Sequence, residues 1–417
     1  MMSVMSHRQF FALAAMLAAT APAALGRSLP ASGWKLKIEP LPSPAAADSG
    51  QPQLTASARG VLLSWIERSS QSATLKFAER TLAGWSTPKV AASGTDWFVN
   101  WADVPSVLRL DDGTIAAHWL QKSGSGTYAY DVRLSYSKDD GKTWSPSFTP
   151  HHDGTKTEHG FASLFQMPGA GLGLVWLDGR AMTGDAHGGA GGHGGGAMSI
   201  RYGSFDRNWK QTEETSIDLR VCECCPTAAA VTSEGVLAAF RDRSDQEIRD
   251  IYVARLQDGK WSDPIPVHRD DWRMPACPVN GPALSAIDRD VAIAWFTATD
   301  DQPQAHLAFS RDAGRTFAAP IRLDDGVALG RVDVVLLPDR SAVAAYVEYA
   351  DKRAQFRVRR IDPSGTRSAP ITVAGIGDGR TSGYPRVARH GDELVFAWIG
   401  RDHAPQVRTA VAKLPSK

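Results

Sequence analysis

One pattern of apolar and polar positions recurs seven times along the chain. Each copy begins with a glycine or a polar residue, continues through four or five apolar residues to an aromatic, and then becomes polar again. The seven aromatics lie 51 to 64 residues apart, at Trp65, Trp119, Trp176, Phe240, Trp295, Tyr346 and Trp398. Apolar runs of this length, bounded by Gly and Asp, are typical of strands buried on both faces. Their near-equal spacing indicates a repeat architecture.

Further strands accompany each apolar run. A short apolar segment precedes it, and a segment of alternating apolar and polar residues follows it. A fourth segment opens with a turn and often a Trp, as at Trp85, Trp144 and Trp209. Four strands in each of seven copies predict an all-β, seven-bladed β-propeller that occupies residues 27–417 as one domain. Two packed β-sandwiches are the alternative, but sandwiches do not require a constant period.

The ring of blades needs one more strand than the last copy supplies. Six fourth strands follow their copies in order, whereas the seventh copy has none after it. Residues 34–40 repeat the fourth-strand pattern near the N-terminus, starting at Trp34. We expect this segment to pair with the last blade, which would close the ring and remove the open sheet edges that promote aggregation.

The first 26 residues have the pattern of an export signal. His7 and Arg8 precede an apolar run from residue 10 to residue 20, which is short for a membrane span, and small residues follow. Candidate cleavage positions lie after Ala23 and after Gly26. Residues 6–11 also resemble a twin-arginine motif with His7 at the first arginine position, so export of a folded and of an unfolded chain both stay open. We expect a periplasmic or secreted protein.

The charge balance excludes two classes of partner. The chain carries 46 Lys and Arg against 45 Asp and Glu, which gives a formal net charge of +1. Such a balance offers no electrostatic footprint for nucleic acid or for anionic membranes. Beyond the N-terminal segment, no apolar stretch reaches the roughly 18 residues of a membrane helix. We therefore expect a small molecule, a metal ion, a glycan or a protein as partner, without nucleic acid and without membrane insertion.

Two turns between third and fourth strands share a sharper motif, Ser-x-Asp-x-Gly-x-Thr followed by Trp or Phe. The aspartate can accept hydrogen bonds from the amides of the turn, the glycine permits positive φ, and the aromatic packs the hairpin against its blade. We expect these residues to be structural. They are Ser137, Asp139, Gly141, Thr143 and Trp144 in the second copy, and Ser310, Asp312, Gly314, Thr316 and Phe317 in the fifth.

Both turns resemble the Asp-box of the bacterial neuraminidase repeat, which occurs in sialidases and other propellers. The resemblance covers about residues 34–417 and implies a propeller in which the boxes lie far from the active site. Sialidases have six blades, so a six-bladed ring is the alternative to seven. They also use an arginine triad, an acid/base Asp and a Tyr/Glu nucleophile pair. Their first arginine lies in an F/Y-R-I/L-P motif, which this chain lacks.

The middle of the chain has a closer resemblance, to uncharacterised exported sialidase-like proteins. It shares with them Cys-Glu-Cys-Cys-Pro-Thr at residues 222–227 and Cys-Pro-Val-Asn-Gly-Pro at residues 277–282. This likeness concerns the fold and does not by itself identify an activity, because one fold serves many functions.

Candidate catalytic residues follow from the way propellers arrange their loops. Loops that lead into first strands and loops that leave second strands meet on one face around the channel. If the protein cleaves acidic sugars, Arg241 and Arg243 are the candidates for binding a carboxylate. Asp103 or Glu158 would then act as acid/base. Tyr384 would supply the nucleophile.

The four cysteines lie in two loops that lead into neighbouring first strands. Cys222, Cys224 and Cys225 belong to one loop and Cys277 to the next. In an oxidising compartment the default is a disulfide, and we expect Cys277 to pair with one of the other three. The two remaining sulfurs would form a strained bond or bind a soft metal.

Histidines and methionines strengthen the metal hypothesis. The loop that leaves the second strand of the third copy is enlarged and rich in glycine, and it contains Met182, His187, His193 and Met198. The loop that leads into the same copy contains His151, His152 and His159. His and Met together suit copper, and His alone suits zinc or nickel. The alternative is a low-complexity insertion that binds nothing.

Three hypotheses about function remain open at this point. The first is an exported propeller that binds a small ligand or a soft metal, copper or zinc, through the Cys- and His-rich loops at the channel mouth. The second is an exo-sialidase-like hydrolase that acts on acidic sugars. The third is a platform for protein interactions, a role that propellers often have.

Overall fold

Strands account for almost all the regular structure of the protein. The computed structural model describes residues 33–167, 169, 171–182, 196–400 and 404–415. Among these residues, the helical elements are two short 3-10 turns, Thr299–Asp301 and Arg380–Ser382. No helix in the described ranges is long and apolar enough to cross a membrane. The export signal predicted for residues 1–26, and its boundary with the propeller, lie outside these ranges.

The strands form seven antiparallel sheets, which we number as blades 1 to 7 in chain order. The first strands are Ser49–Ser57, Ser106–Arg109, His159–Gln166, Ala228–Thr232, Ala283–Ile287, Val327–Leu336 and Arg386–His390. The second strands are Gly60–Arg68, Ile115–Lys122, Leu172–Asp178, Gly235–Arg241, Asp290–Thr297, Ala342–Ala350 and Glu393–Gly400. The third strands are Ala73–Thr81, Tyr130–Ser137, Ser199–Phe205, Ile251–Gln257, Gln304–Ser310, Arg353–Ile361 and Gln406–Lys413.

The outer strands are shorter and less regular. In blades 1 and 4 they are split in two, and in blade 7 the outer strand comes from the N-terminal part of the chain. Blade 2 has no outer strand. The outer strands of the other blades, in order, are Gly84–Trp85 with Lys89–Gly94 (blade 1), Gln211–Asp218 (blade 3), Lys260–Trp261 with Ile265–Pro266 (blade 4), Ile321–Arg322 (blade 5), Ile371–Ile376 (blade 6) and Glu39–Leu41 (blade 7).

The seven sheets close into a ring. Each first strand contacts the first strand of the next blade, and the first strand of blade 7 contacts that of blade 1. The seven first strands together line a central cavity of about 510 Å³. The seven-bladed propeller is therefore confirmed, and the six-bladed ring and the pair of sandwiches are wrong.

The N-terminal strand closes the ring as predicted. Glu39–Leu41 pairs antiparallel with the third strand of blade 7, with Glu39 opposite Val411 and Leu41 opposite Thr409. The pairing is shorter than the predicted segment 34–40. Its apolar residues at 34, 36 and 38 instead pack, half-buried, against the core between blades 6 and 7.

The recurring aromatic is explained by the interfaces between blades. Trp65, Trp176 and Trp295 are fully buried, and each packs in a cluster that joins its own blade to the preceding one. Phe240, Tyr346 and Trp398 occupy the corresponding clusters of their blades. Trp119 differs, because it stacks on Trp97 at 5.5 Å. A large aromatic side chain at six of the seven interfaces thus accounts for the period in the sequence.

Blade 2 lacks the fourth strand that we predicted near Trp144. The segment makes only a single bridge, between Leu134 and Phe148. Pro146 and Pro150 flank that bridge, and a proline has no N–H with which to extend a ladder. The three strands of blade 2 are therefore followed by an irregular segment.

The antiparallel order gives the propeller two different faces. Loops that lead into first strands and loops between second and third strands lie on one face, which we call the mouth face. Turns between first and second strands and between third and fourth strands lie on the other, the turn face.

The two Ser-x-Asp-x-Gly-x-Thr turns lie on the turn face and make the hydrogen bonds expected of them. Asp139 accepts the Thr143 amide at 2.9 Å and the Thr143 hydroxyl at 2.7 Å, and Asp312 accepts the Thr316 amide and hydroxyl at 2.9 and 2.6 Å. The serine hydroxyl donates to its aspartate at 2.8 Å in the first turn and 2.7 Å in the second. The glycines have φ of 79° and 80°. The aromatics of both turns pack against a blade core.

Candidate metal centres

Three cysteines form a compact cluster on the mouth face, in the loop that leads into blade 4. Cys222, Cys224 and Cys225 are buried, and we call them the thiol cluster. The Cys222 sulfur lies 3.8 Å from that of Cys224 and 3.5 Å from that of Cys225. The Cys222 amide donates to the Arg241 carbonyl at 2.9 Å, which fixes the loop to the end of the second strand.

A buried arginine makes the thiol cluster electrostatically asymmetric. Arg249 Nη1 lies 3.1 Å from Cys222 Sγ and 2.9 Å from Glu223 Oε2. Burial opposes ionisation of Cys222, but hydrogen bonds from Cys224 and Cys225 and the charge of Arg249 outweigh it, so the pKa of Cys222 is lowered well below its usual value. Burial and the neighbouring sulfurs raise the pKa of Cys224. The cluster therefore favours one thiolate that accepts hydrogen bonds from two thiols.

Cys277 joins the edge of this cluster without closing a disulfide. It is exposed, and it hydrogen-bonds Cys224. None of the four cysteines, all of which are described, forms a disulfide. The sulfur distances within the thiol cluster are far longer than the roughly 2.05 Å of an S–S bond. The two cysteine loops come together as predicted, but the predicted disulfide is not confirmed.

A second cluster lies on the mouth face where blade 2 meets blade 3. It consists of Asp131 from the third strand of blade 2, His151 from the following loop and His159 at the start of blade 3, and we call it the imidazole cluster. The two rings stack in parallel, 3.8 Å apart. Asp131 Oδ1 lies 3.9 Å from His151 Nε2 and 3.6 Å from His159 Nδ1.

Carboxylates surround the imidazole cluster. Asp153 Oδ2 lies 3.2 Å from His159 Nε2 and 3.4 Å from His151 Nδ1. Burial and the charge of His159 lower the pKa of His151 to about 4. Burial also disfavours the charged form of His159, but Asp131, Asp153 and Asp178 outweigh burial and raise the pKa of His159 to about 9. These carboxylates therefore favour one positive charge between them.

His152, Met182 and Met198 do not join either cluster. His152 is two-thirds exposed, and its Nδ1 lies 3.8 Å from Glu214. Met198 is buried in the apolar core between blades 3 and 4, and Met182 packs against the same core. His187 and His193 lie outside the described residues. The structure thus separates the predicted Cys/His site into two groups, one of thiols and one of imidazoles.

The two arginines predicted to bind a carboxylate are engaged within the protein. Arg241 is buried, donates to the carbonyls of Asn280, Arg249 and Phe296, and lies over the Trp272 ring. Arg243 is buried as well and pairs with Glu223 and Glu247. Arg243 thus holds two loops of blade 4 together, and Arg241 ties blade 4 to blade 5.

Of the other catalytic candidates, Asp103 and Glu158 share a buried hydrogen-bond network, and Tyr384 lies outside it. Tyr130 donates to Glu158 Oε1 at 2.6 Å and lies 3.1 Å from Asp103 Oδ2. Burial, together with the charge of Glu158, raises the pKa of Asp103 to about 7, although the Phe161 amide and Tyr130 lower it in part. Tyr384 is buried, donates to the Val279 carbonyl at 2.6 Å, and has its pKa raised by burial.

Sequence reasoning missed Asp131, Tyr130 and Arg249. Asp131 and Tyr130 lie at the start of an alternating strand, where a polar residue is expected to face solvent. Arg249 belongs to a loop whose notable feature was the charged segment at residues 241–243. A search for charged residues directly before third strands would have found Arg249. The loops between second and third strands lie on the mouth face, so residues at the end of such a loop are as close to the site as those at its start.

Comparison with known proteins identifies the fold and no family. Neither a protein-family model nor a curated protein sequence matches this chain. An ulvan lyase of family PL25 is 12% identical with a TM-score of 0.53, over 91% of this chain and 95% of that one. A protein of unknown function from Dyadobacter fermentans DSM 18053 is 15% identical with a TM-score of 0.51, over 91% and 97%. The phage phi92 endosialidase is 9% identical with a TM-score of 0.51, over 92% and 70%. The chain therefore has a sialidase-like, seven-bladed β-propeller fold.

Proposed function

We propose that this chain is a metal-binding propeller whose thiol cluster holds one thiophilic ion, Cu(I) or Zn²⁺. One observation carries the proposal: three buried sulfurs lie together, with Cys222 3.5 and 3.8 Å from its two partners. A metal–sulfur bond of about 2.3 Å in a tetrahedral site places two sulfurs about 3.8 Å apart. The sulfurs thus already have the spacing of metal ligands, and thiolates are the ligands that Cu(I) and Zn²⁺ prefer.

The surrounding charges favour such an ion. The lowered pKa of Cys222 supplies one thiolate, and a bound ion would displace the thiol protons of Cys224 and Cys225. Arg249 would offset part of the negative charge of three thiolates. Glu223, which accepts from Arg249 at 2.9 Å, keeps this guanidinium in place.

Cys277 offers a route for the ion into the cluster. Its side chain is exposed and hydrogen-bonds Cys224 inside. An incoming ion can therefore bind the outer thiol first and then exchange ligands with the buried sulfurs. If the chain is exported, as residues 1–26 predict, metal loading would also protect these thiols from oxidation.

Titration of the full chain tests this function. The reduced, metal-stripped protein is titrated anaerobically with Cu(I) against a chromophoric chelator, and we expect one equivalent to bind. Cys222→Ser should weaken binding by more than about 100-fold, because loss of a ligand exceeds the roughly 10–100-fold effect of changing a residue that only orients a ligand. Cys277→Ser is the matched control and should keep the stoichiometry while slowing the uptake.

Two results would count against the thiol site. One is a reduced wild-type protein that binds neither Cu(I) nor Zn²⁺. The other is a folded Cys222→Ser variant, as judged by its circular dichroism, that binds as tightly as the wild type.

Cleavage of a polysaccharide or sialoside is the second candidate function. The observation that favours it is Asp103, which lines the central cavity with a pKa of about 7, a value suited to a general acid. Polysaccharide lyases and an endosialidase share the fold. The test is release of product from a fluorogenic sialoside and from ulvan, with Asp103→Asn as the variant. Absence of turnover on both substrates would reject this function.

A further inference from the structure

Three buried polar atoms of the imidazole cluster have no hydrogen-bond partner. They are Asp131 Oδ1, His151 Nε2 and His159 Nδ1. His159 is fully buried and His151 is 5% exposed, so bulk solvent does not reach these atoms. An unsatisfied buried polar group destabilises the folded protein. Three such atoms that converge on one point therefore favour a shared ligand between them.

The spacing of the three atoms fits a metal ion. All three lie within 4.8 Å of one another, and Asp131 Oδ1 is 3.6 Å from His159 Nδ1 and 3.9 Å from His151 Nε2. Bonds of about 2.0–2.2 Å from zinc to nitrogen and oxygen place tetrahedral ligands about 3.4 Å apart. Small movements of the side chains therefore bring the ligands to the required distances.

The outer partners of the two rings orient them for this task. Asp153 Oδ2 faces the opposite nitrogen of each ring, Nε2 of His159 at 3.2 Å and Nδ1 of His151 at 3.4 Å. An N–H donated to this carboxylate leaves the lone pair of the other nitrogen pointing toward Asp131. A histidine that binds zinc commonly donates its other ring N–H to a carboxylate, which fixes the orientation of the ring.

We propose that Asp131, His151 and His159 form a second metal site, which binds Zn²⁺ or a similar borderline divalent ion. Imidazole and carboxylate ligands suit such ions, whereas the thiol cluster suits softer ones. Asp131 belongs to blade 2 and His159 to blade 3, so the ion joins neighbouring blades. The site does not depend on the proposed function of the thiol cluster.

Cobalt substitution separates the two sites. The reduced full chain is first given one equivalent of Cu(I) and is then titrated with Co²⁺. Co²⁺ bound by imidazole and carboxylate gives visible d–d absorption without the near-ultraviolet charge-transfer band of a thiolate ligand. We expect one equivalent of Co²⁺ with this spectrum and a higher melting temperature. If the thiol cluster binds no Cu(I), the same d–d spectrum should still appear, so the two proposals can fail independently.

Two variants and a control complete the test. Asp131→Asn keeps the shape of the side chain and should weaken Co²⁺ binding by more than about tenfold. His159→Gln should abolish binding, and His152→Asn, exposed and next to a ligand, should leave it unchanged. Ring-nitrogen NMR of the wild type should show His159 Nδ1 and His151 Nε2 shifting when Zn²⁺ is added.

Two outcomes would overturn the second site. One is unchanged Co²⁺ affinity in a folded Asp131→Asn variant. The other is a His159 ring that keeps protons on both nitrogens in excess Zn²⁺, since it would then be an imidazolium held between two carboxylates.

Discussion

The turn face and the mouth face of the propeller use their polar residues in opposite ways. On the turn face, Asp139 and Asp312 repeat the same hydrogen bonds in blades 2 and 5. On the mouth face, the two clusters found among the described residues differ in chemistry: thiols precede blade 4, and imidazoles lie between blades 2 and 3. A repeated motif therefore identifies residues that stabilise the fold, whereas the candidate metal ligands lie in loops that depart from the repeat.

The largest expected effect sharpens this comparison at the thiol cluster. Arg249→Gln removes the charge beside Cys222, so the pKa of that thiol should rise and its thiolate should form only at higher pH. We expect Cu(I) affinity to fall by about 10–100-fold at neutral pH and to recover partly as the pH rises. Chelator competition across pH measures this. Arg315→Gln on the turn face is the control. An equal loss of Cu(I) affinity in this variant would contradict a specific role of Arg249 beside Cys222.

The next effect concerns Asp103 and the pH dependence of folding. The pKa of Asp103 is about 7 in the folded protein, and an unfolded aspartate titrates near pH 4. Between about pH 4 and pH 7, Asp103 therefore holds a proton in the folded protein but not in the unfolded chain. The free energy of unfolding should accordingly fall as the pH rises through this range. The slope is on the order of 1 kcal/mol per pH unit.

Asp103→Asn should remove this slope, because an amide does not titrate. Urea unfolding of wild type and variant at about pH 5 and about pH 8 gives the comparison. If the wild type loses no more stability than Asp103→Asn between these two conditions, the raised pKa is contradicted.

A smaller effect is expected from the turn face. Asp312→Ala removes the acceptor of the Thr316 amide and hydroxyl and of the Ser310 hydroxyl, which should lower the free energy of unfolding by about 1–2 kcal/mol. Metal stoichiometry should not change. Thermal unfolding and elemental analysis of the same sample check both statements. Loss of metal without loss of stability would contradict a purely structural role for the turn face.

The smallest effect is expected at the exposed edge of the mouth face. His152→Ala should leave stability within about 0.5 kcal/mol and both metal affinities unchanged, because the side chain is 67% exposed and belongs to neither cluster. Thermal unfolding and the two titrations measure this. A marked loss of either metal would place His152 in a site that includes residues beyond those described.

The fold could be predicted from the sequence because its causes are periodic. The recurring aromatic packs in six of the seven interfaces between blades, so Trp65, Trp176 and Trp295 mark the blades directly. The absence of a fourth strand in blade 2 could not be predicted by the same reasoning. Its Trp144 matches the pattern, but two prolines nearby interrupt the ladder, and the pattern counts apolar residues rather than hydrogen bonds.

The site could be predicted only in part, because its ligands come from separate segments. Cys222, Cys224 and Cys225 are neighbours in sequence, so their clustering was foreseeable, whereas the predicted disulfide depended on geometry between two loops. His151 and His159 were predicted as ligands. Their partner Asp131 comes from another blade, and alternation along a strand cannot reveal a contact across an interface.

Closure of the ring has a consequence for how the chain reaches its native state. The Thr409 hydroxyl donates to the Leu41 carbonyl across 368 positions of sequence. Synthesis proceeds from the N-terminus, so Glu39–Leu41 must wait unpaired until almost the whole propeller has been made. Contacts between residues so far apart in sequence form slowly, and they stabilise the protein only late in folding. Closure of the ring is therefore a late event, and a truncation that removes either Glu39–Leu41 or Gln406–Lys413 should leave blade 7 without this pairing.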